Sequence, residues 1–306
     1  MTGLRRVAAV LLVPVRHRGR RVAWTPEFMG LGNLLQLAMW AHDGTVAGEP
    51  RWIRSTPRLE PWLDVFPGLR TLVLAPDQVR FTDRRVRPWS QAARAAGVEG
   101  AVPLHEPVDV AAVERFVRDV LLPGSRLLAD RGAVLADDAL VVNVRRGDYY
   151  ADPEIRQQYG FDLVGYLHVA VQGSLARDGV PSSIIVVSDD LDWCRRELGW
   201  LADVAPTTWR VDSGPVDDFT TVSAARRAVL SNSTFSYWAA HVGNVLHGDN
   251  HASVWAPRFF DRTQNGGRSW LLDERWTVVE ELPGGWDVPD GHPDAVIPAE
   301  TEATCQ

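Results

Sequence analysis

The second half of the chain alternates between strand-like and helix-like segments, and no other feature constrains the fold as strongly. Apolar, β-branched runs at Ala139–Val144, Ile184–Val187, Thr207–Val211, Ala228–Leu230 and Ser253–Trp255 are spaced by helical patterns at about 163–177, 191–200, 216–227 and 235–243. Strands joined by crossover helices pair in parallel, with helices on the sheet faces. The spacing therefore predicts a doubly wound α/β unit. Ligands of such sheets collect beyond the carboxyl ends of the strands, so the residues that follow each run are the first place to look for chemistry.

The first half is less regular. The run Val7 to Val13 reads as a buried strand; it is too short to span a bilayer and lacks a small-residue cleavage site. Phe28-Met-Gly-Leu-Gly-Asn33 is a Gly-punctuated loop leading into a helix-forming stretch, Leu34 to Ala41. A short strand is expected at Thr71–Ala75. An amphipathic helix is expected at about 107–122, with Val110, Val113, Phe116 and Val117 on one face and Pro123-Gly124 as its stop. A length of 306 residues suits two domains. Their linker is expected within Ala129–Asp138, giving domains at 1–135 and 136–282. Beyond Leu282 the chain is rich in Pro, Gly and acids, and 283–306 reads as a flexible tail.

Composition narrows the function. Apolar and charged fractions of 45% and 23% are those of a globular protein with a sizeable core. A net charge of −7 argues against a general nucleic-acid binder, which needs a basic face. All 32 basic residues are Arg, a bias that points to a GC-rich genome rather than to a function. Two thiols, Cys194 and Cys305, make neither a disulfide framework nor a zinc site. With no targeting or transmembrane segment legible, a cytoplasmic location is expected.

Three strand ends carry polar clusters, and a parallel sheet places them on one edge. The first, Asn143-Val-Arg-Arg-Gly-Asp-Tyr149, offers two adjacent guanidiniums, whose planar forks match phosphate oxygens two at a time. Gly147 allows a sharp turn there, and Asp148 can orient an Arg. The second follows Val186-Val-Ser-Asp-Asp-Leu-Asp-Trp-Cys194. Ser188 and Asp189 are good helix N-caps, and capping accounts for them as readily as ligand contact does. Asp190-Leu-Asp192 matches an acid-any-acid pattern that can hold a divalent ion, although Asp192 falls where it would support a first helical turn. The third, Ser231-Asn-Ser-Thr-Phe-Ser-Tyr-Trp238, places four consecutive polar residues before a helix start, more than a cap requires. A helix N-terminus with such neighbours suits a phosphate.

Together these segments resemble the α-1,2-fucosyltransferase family of glycosyltransferases. The family's first signature is similar to Asn143–Tyr149. Its second resembles Asp218-Phe219 followed by Asn232-Ser-Thr-Phe-Ser-Tyr-Trp-Ala-Ala240, and Ser188-Asp189 with Trp193-Cys-Arg195 fits between them. Gly30-Leu-Gly-Asn33 matches a Gly-x-Gly-Asn loop of related fucosyltransferases. Two positions depart from the pattern: Asn143 stands where the signature opens with His, and Leu34 where Gln usually follows the loop.

The resemblance implies a GT-B-like fold of two facing Rossmann-like domains, an N-terminal acceptor-side domain and a C-terminal GDP-sugar-binding one. It implies that Arg145 pairs with the GDP diphosphate while Arg146 and Asp148 order its loop. Asn143, Ser188 and Asp189 would belong to the donor site, and Asp218 would read guanine or ribose. Asn232, Ser233, Thr234 and Phe235 would line the diphosphate pocket, and Asn33 would serve the fucose and the acceptor. The implied reaction is inverting transfer of L-fucose from GDP-fucose to a galactose 2-hydroxyl of a glycan acceptor, with no metal or other cofactor. Another GDP-sugar as donor, a non-catalytic nucleotide- or glycan-binding relative, and a metal-dependent transferase using Asp190 and Asp192 remain the alternatives.

Overall fold

The computed structural model describes residues 19–27, 29–86, 107–125, 135–211, 213–263 and 265–287. The chain divides into two compact units, Met1–Ala133 and Val134–Gln306. The expected strand at Val7–Val13, Phe28 of the Gly-punctuated loop, most of the expected linker and the tail beyond residue 287 lie outside the described residues. Among the described residues no helix is long and apolar enough to cross a membrane.

The first unit holds a parallel four-stranded sheet made of β1 (Arg21–Ala23), β2 (Arg51–Arg54), β3 (Val73–Leu74) and β4 (Arg84–Val86), in the order β3-β2-β1-β4. Helix α1 (Leu31–Val46) joins β1 to β2. It is longer than its apolar stretch predicts. Gly44 extends it where a methyl group would stand 2.4 Å from the Arg51 side chain, so the missing Cβ lets strand and helix approach. Helix α2 (Glu60–Val65) and a 3-10 turn at Pro67–Thr71 follow β2. That turn takes Thr71 out of the expected strand, its hydroxyl donating to the Gly68 carbonyl at 2.8 Å. Helix α3 (Val110–Phe116) is capped by Asp109, which accepts from the Ala111 N–H at 3.0 Å, and it runs on as a π-helical turn at Val117–Leu121.

The second unit is a parallel six-stranded sheet: β5 (Leu140–Val144), β6 (Ile184–Ser188), β7 (Thr207–Trp209), β8 (Arg227–Val229), β9 (Val254–Pro257) and β10 (Thr277–Val279). Each of the five expected strands is present within a residue or two. After β5 come α4 (Gly147–Ala151) and α5 (Pro153–Tyr159), neither legible in the pattern, and then α6 (Leu163–Asp178). The expected helix at 191–200 divides into α7 (Leu191–Glu197) and α8 (Leu201–Val204) around Leu198-Gly199-Trp200. Helix α9 (Pro215–Ala224) stops short of the expected residue 227, because Arg227 belongs to β8. There its buried guanidinium donates to the carbonyls of Asp138, Ser174 and Gly179. Helix α10 (Thr234–His247) closes on Gly248 in a left-handed conformation, φ 83°.

The core packs Leu140, Val142, Val144, Ile184 and Val186 against Phe161, Tyr166 and Trp193. Strand order is β10-β9-β8-β5-β6-β7. From β5 the chain winds outward through β6 and β7, and from β8 it winds the opposite way. The reversal between β5 and β8 opens a crevice at their carboxyl ends, the site such sheets use for ligands. Both units are thus parallel α/β, as the resemblance implies.

Candidate functional site

Arg145 leaves β5 at this switch point. One guanidinium nitrogen lies 2.5 Å from Asp148 Oδ1 and the other 2.6 Å from Asp189 Oδ2. The second oxygen of Asp189 accepts from the Arg146 N–H at 2.8 Å, so this carboxylate straddles the loop. Gly147 is required by proximity, not by a turn: a Cβ there would stand 2.4 Å from Asp189 Oδ2. Burial works against the Arg145 charge, but Asp189 and Asp148 outweigh it and raise the pKa above its ordinary value. Arg146 points elsewhere. Its guanidinium carbon lies 4.1 Å from the Tyr150 ring centre and 3.9 Å from that of Trp193, and its Nε donates to Asp190 at 3.3 Å. Cation–π contacts of this kind fix the base of the loop.

The helix cap after β6 is neither Ser188 nor Asp189. Asp190 caps α7, accepting from the Trp193 N–H at 3.2 Å, while Ser188 accepts from the Asp190 N–H at 3.0 Å. Asp189 is thereby released for Arg145. Asp192 has a side chain 95% exposed and pairs with Arg195. Among the described residues no group of three His, Cys, Asp or Glu side chains is placed to hold a metal. His247, whose Nε2 meets the Ala224 carbonyl at 3.1 Å, serves the end of α10.

Asn143 lies beneath the crevice, only 6% exposed. Its amide donates to the Val187 carbonyl at 3.3 Å, and its oxygen accepts from the hydroxyls of Ser231, at 3.2 Å, and Ser236. The two serines are 2.9 Å apart. The residue thus ties the ends of β5, β6 and β8 to the start of α10, and its amide faces the protein instead of a donor. Asn232 is likewise committed: its amide donates to the carbonyls of Tyr159 and Phe260, both at 3.0 Å. Asn143 turns inward from β5 and Asn232 from the loop between β8 and α10, which a reading of residue types alone does not show.

Ser233 occupies the N-cap position of α10 without a capping side-chain bond. Thr234 and Phe235 form the first turn, where backbone N–H groups have no intrahelical acceptor. Phe235 meets Phe219 edge-on at 5.3 Å, joining α10 to α9. Asp218 accepts from Ser213 at 2.6 Å. Its pKa is raised by burial, with the neighbouring carboxylates of Asp217 and Asp189 adding to the effect and Ser213 and Arg210 partly offsetting it. Asn33, in the first turn of α1, belongs to the first unit and is half-buried.

Sequence reasoning missed the tyrosines beside Arg145. Tyr149 stacks on Tyr159 at 4.5 Å. The Tyr159 phenol is pushed up to about 12 by burial, with Asp261 and Asp148 adding to it. Burial raises Tyr149 as well. Both stay neutral and present polar aromatic surface next to the guanidinium. Tyr149 closes the first signature and was open to view; Tyr159, on an unforeseen helix, was not.

Residues 130–254, the stretch that contains every one of these second-unit positions up to α10, match the model of glycosyl transferase family 11. The chain is 31% identical over 120 residues to galactoside alpha-(1,2)-fucosyltransferase 2 of Mus musculus, covering 38% of this chain and 34% of the relative. Its counterpart from Oryctolagus cuniculus is 28% identical over 158 residues, covering 50% and 41%. The chain therefore spans less than half the length of these relatives. Among solved structures, a mutant of Arabidopsis thaliana FUT1 in complex with GDP is similar with a TM-score of 0.47 and 12% identity, covering 78% of this chain and 72% of that one. The glycosyl transferase family 9 protein of Veillonella parvula gives 0.39 and 10%, covering 86% of each chain.

Proposed function

We propose that the chain transfers L-fucose from GDP-fucose to the 2-hydroxyl of a galactose in a glycan, with inversion and without a metal. The observation that carries this reading is the switch point between β5 and β8, where Arg145 and the first turn of α10 flank one crevice within the stretch that matches family 11. In the reaction the bond from fucose C1 to the β-phosphate oxygen breaks and GDP leaves with the electron pair. The acceptor oxygen attacks the opposite face of C1 and loses its proton. Negative charge grows on the diphosphate, so donors preorganised around it stabilise the transition state more than the ground state. Arg145 supplies a fixed positive charge, and α10 supplies backbone N–H groups and its dipole. The Ser231–Asn143–Ser236 network holds these two anchors in register.

Relatives named as galactoside alpha-(1,2)-fucosyltransferases support fucose and galactose as donor sugar and acceptor. Incubation of the protein with several GDP- and UDP-sugars and a β-galactoside, read by product mass, tests the proposal. Transfer from GDP-fucose that survives EDTA is expected. Transfer only from another nucleotide sugar, or activity abolished by chelation and restored by manganese, would overturn it.

A further inference from the structure

Most arginines of the described residues are matched to carboxylates, and Arg54 and Arg85 are not. Both lie on the sheet of the first unit. Trp24 directly follows β1, Arg54 ends β2 on one side of it, and Arg85 lies in β4 on the other. Their guanidinium carbons stand 4.6 Å and 4.0 Å from the centre of the same Trp24 ring. In the parallel register Val22 pairs with both Trp52 and Arg85, which puts Trp24, Trp52, Arg54 and Arg85 on one face. A further guanidinium, Arg20, lies 5.5 Å from the Trp52 ring. Arg20 is neutralised by Asp83 at 2.8 Å, whereas no ion pair of Arg54 or Arg85 occurs among the described residues.

Two like charges gathered on one indole repel each other, and the ring compensates only in part. An anion bound beside either guanidinium offsets that cost. The indole fixes the guanidinium planes beforehand, so less side-chain entropy is lost on binding. The place is also the expected one. The sheet order β3-β2-β1-β4 reverses between β1 and β4, and Trp24 stands at the carboxyl end of β1 at that switch point, its N–H donating to the Val86 carbonyl at 2.9 Å. Behind Arg54, the buried hydroxyls of Ser55 and Thr56 lack a hydrogen-bond partner among the described residues, a further departure from the rule that buried polar groups are paired.

We infer that the Arg54–Trp24–Arg85 cluster is a binding site for the carboxylate or sulfate of an acidic saccharide. The net charge of −7 disfavours a nucleic acid as the occupant, because a polyanion would meet the repulsion of the whole molecule. A small acidic sugar needs only the local pair. That the bound saccharide is the acceptor rests on the transferase reading above; the binding itself rests on the first unit alone.

Calorimetry on the full chain tests this with a galactose disaccharide carrying a uronate, its sulfated analogue and its neutral counterpart. Both acidic forms are expected to bind at least about tenfold more tightly than the neutral one, one charge-assisted contact being worth that much. The preference is expected to vanish in Arg54→Gln/Arg85→Gln, and exposed Arg85→Gln alone, which spares the fold, is expected to reduce it. Equal affinity for acidic and neutral forms, or a preference that survives both variants, overturns the inference. GDP-fucose binding, titrated in parallel, is expected to be unchanged in the variants. Its absence from the wild type would sink the transferase proposal while leaving the saccharide measurement to stand or fall alone.

Discussion

Arg145 and its two carboxylates make separate demands at the scale of single residues. Arg145→Lys keeps the charge but loses the fork, and each charge-assisted hydrogen bond is worth about 1.5–3 kcal/mol. The expected loss in turnover is therefore about tenfold or more if the bond forms only in the transition state; near-normal kinetics in a folded variant would remove Arg145 from the reaction. Asp148 behaves oppositely. It is 55% exposed and holds Arg145 from outside, so it can turn into water when a diphosphate arrives. Asp148→Asn is expected to leave GDP affinity unchanged or to raise it, as read by titration, and a loss as deep as that of Arg145→Lys would show that the carboxylate builds the site. Asn143 carries a third expectation. Asn143→Ala removes the acceptor that Ser231 and Ser236 share and leaves one of the two hydroxyl protons without a partner in the interior, at a cost of about 1–3 kcal/mol. Denaturant midpoints should fall accordingly. A variant as stable as the wild type would mean that the network contributes nothing to stability.

Among the elements, α7 and the β5–α4 junction show how a local choice sets the site. Asp190→Ala removes the cap of α7, worth about 1 kcal/mol, and also removes the carboxylate to which Arg146 Nε donates. Gly147→Ala adds a methyl where the Asp189 carboxylate lies, and the side-chain end must swing away from Arg145. Weakened GDP binding at nearly constant melting temperature is expected there, because the displaced atoms are at the half-exposed end of a flexible group. These contacts mark the limit of what sequence shows. The buried strands were legible because β-branched runs declare themselves, and the crevice followed from their alternation. The choice of Asp190 over Ser188 as cap, and hence the freedom of Asp189, turns on a single position along the backbone. The roles of Asn143 and Asn232 depend on their side chains turning into the protein, one from the end of β5 and one from the loop after β8, and neither composition nor spacing records that. Helices α4 and α5 escaped notice because they are short and lack a periodic apolar face; all of α5 is half-buried or exposed.

Over the whole molecule, two buried acids, Asp83 in the first unit and Asp273 in the second, link stability to pH. In the first, burial alone would raise Asp83, but the hydrogen bonds from Arg20 and the Arg80 N–H prevail and hold it below its ordinary 3.8. In the second, burial of Asp273 is likewise outweighed by Arg275. Above 3.8 both carboxylates are ionised in folded and unfolded chains alike, and their full stabilisation is present. As pH falls below that value the unfolded chain takes up protons first, and the stabilisation drains until the folded carboxyls protonate too. Asp83→Asn and Asp273→Asn are therefore expected to lower the melting temperature at neutral pH, with the gap to the wild type narrowing below about pH 4. A gap independent of pH would exclude ionisation as its source.

The resting crevice is not an empty cationic socket. Arg145 already satisfies two carboxylates, so any incoming anion takes part in an exchange. Orthophosphate or sulfate would give up one such contact to gain another and profit little. Only a ligand that brings further contacts, to the amides of α10 or the ring of Tyr149, moves the balance. A site that supplies its own counter-ions thus sets a threshold, and simple anions abundant in any cell fall below it.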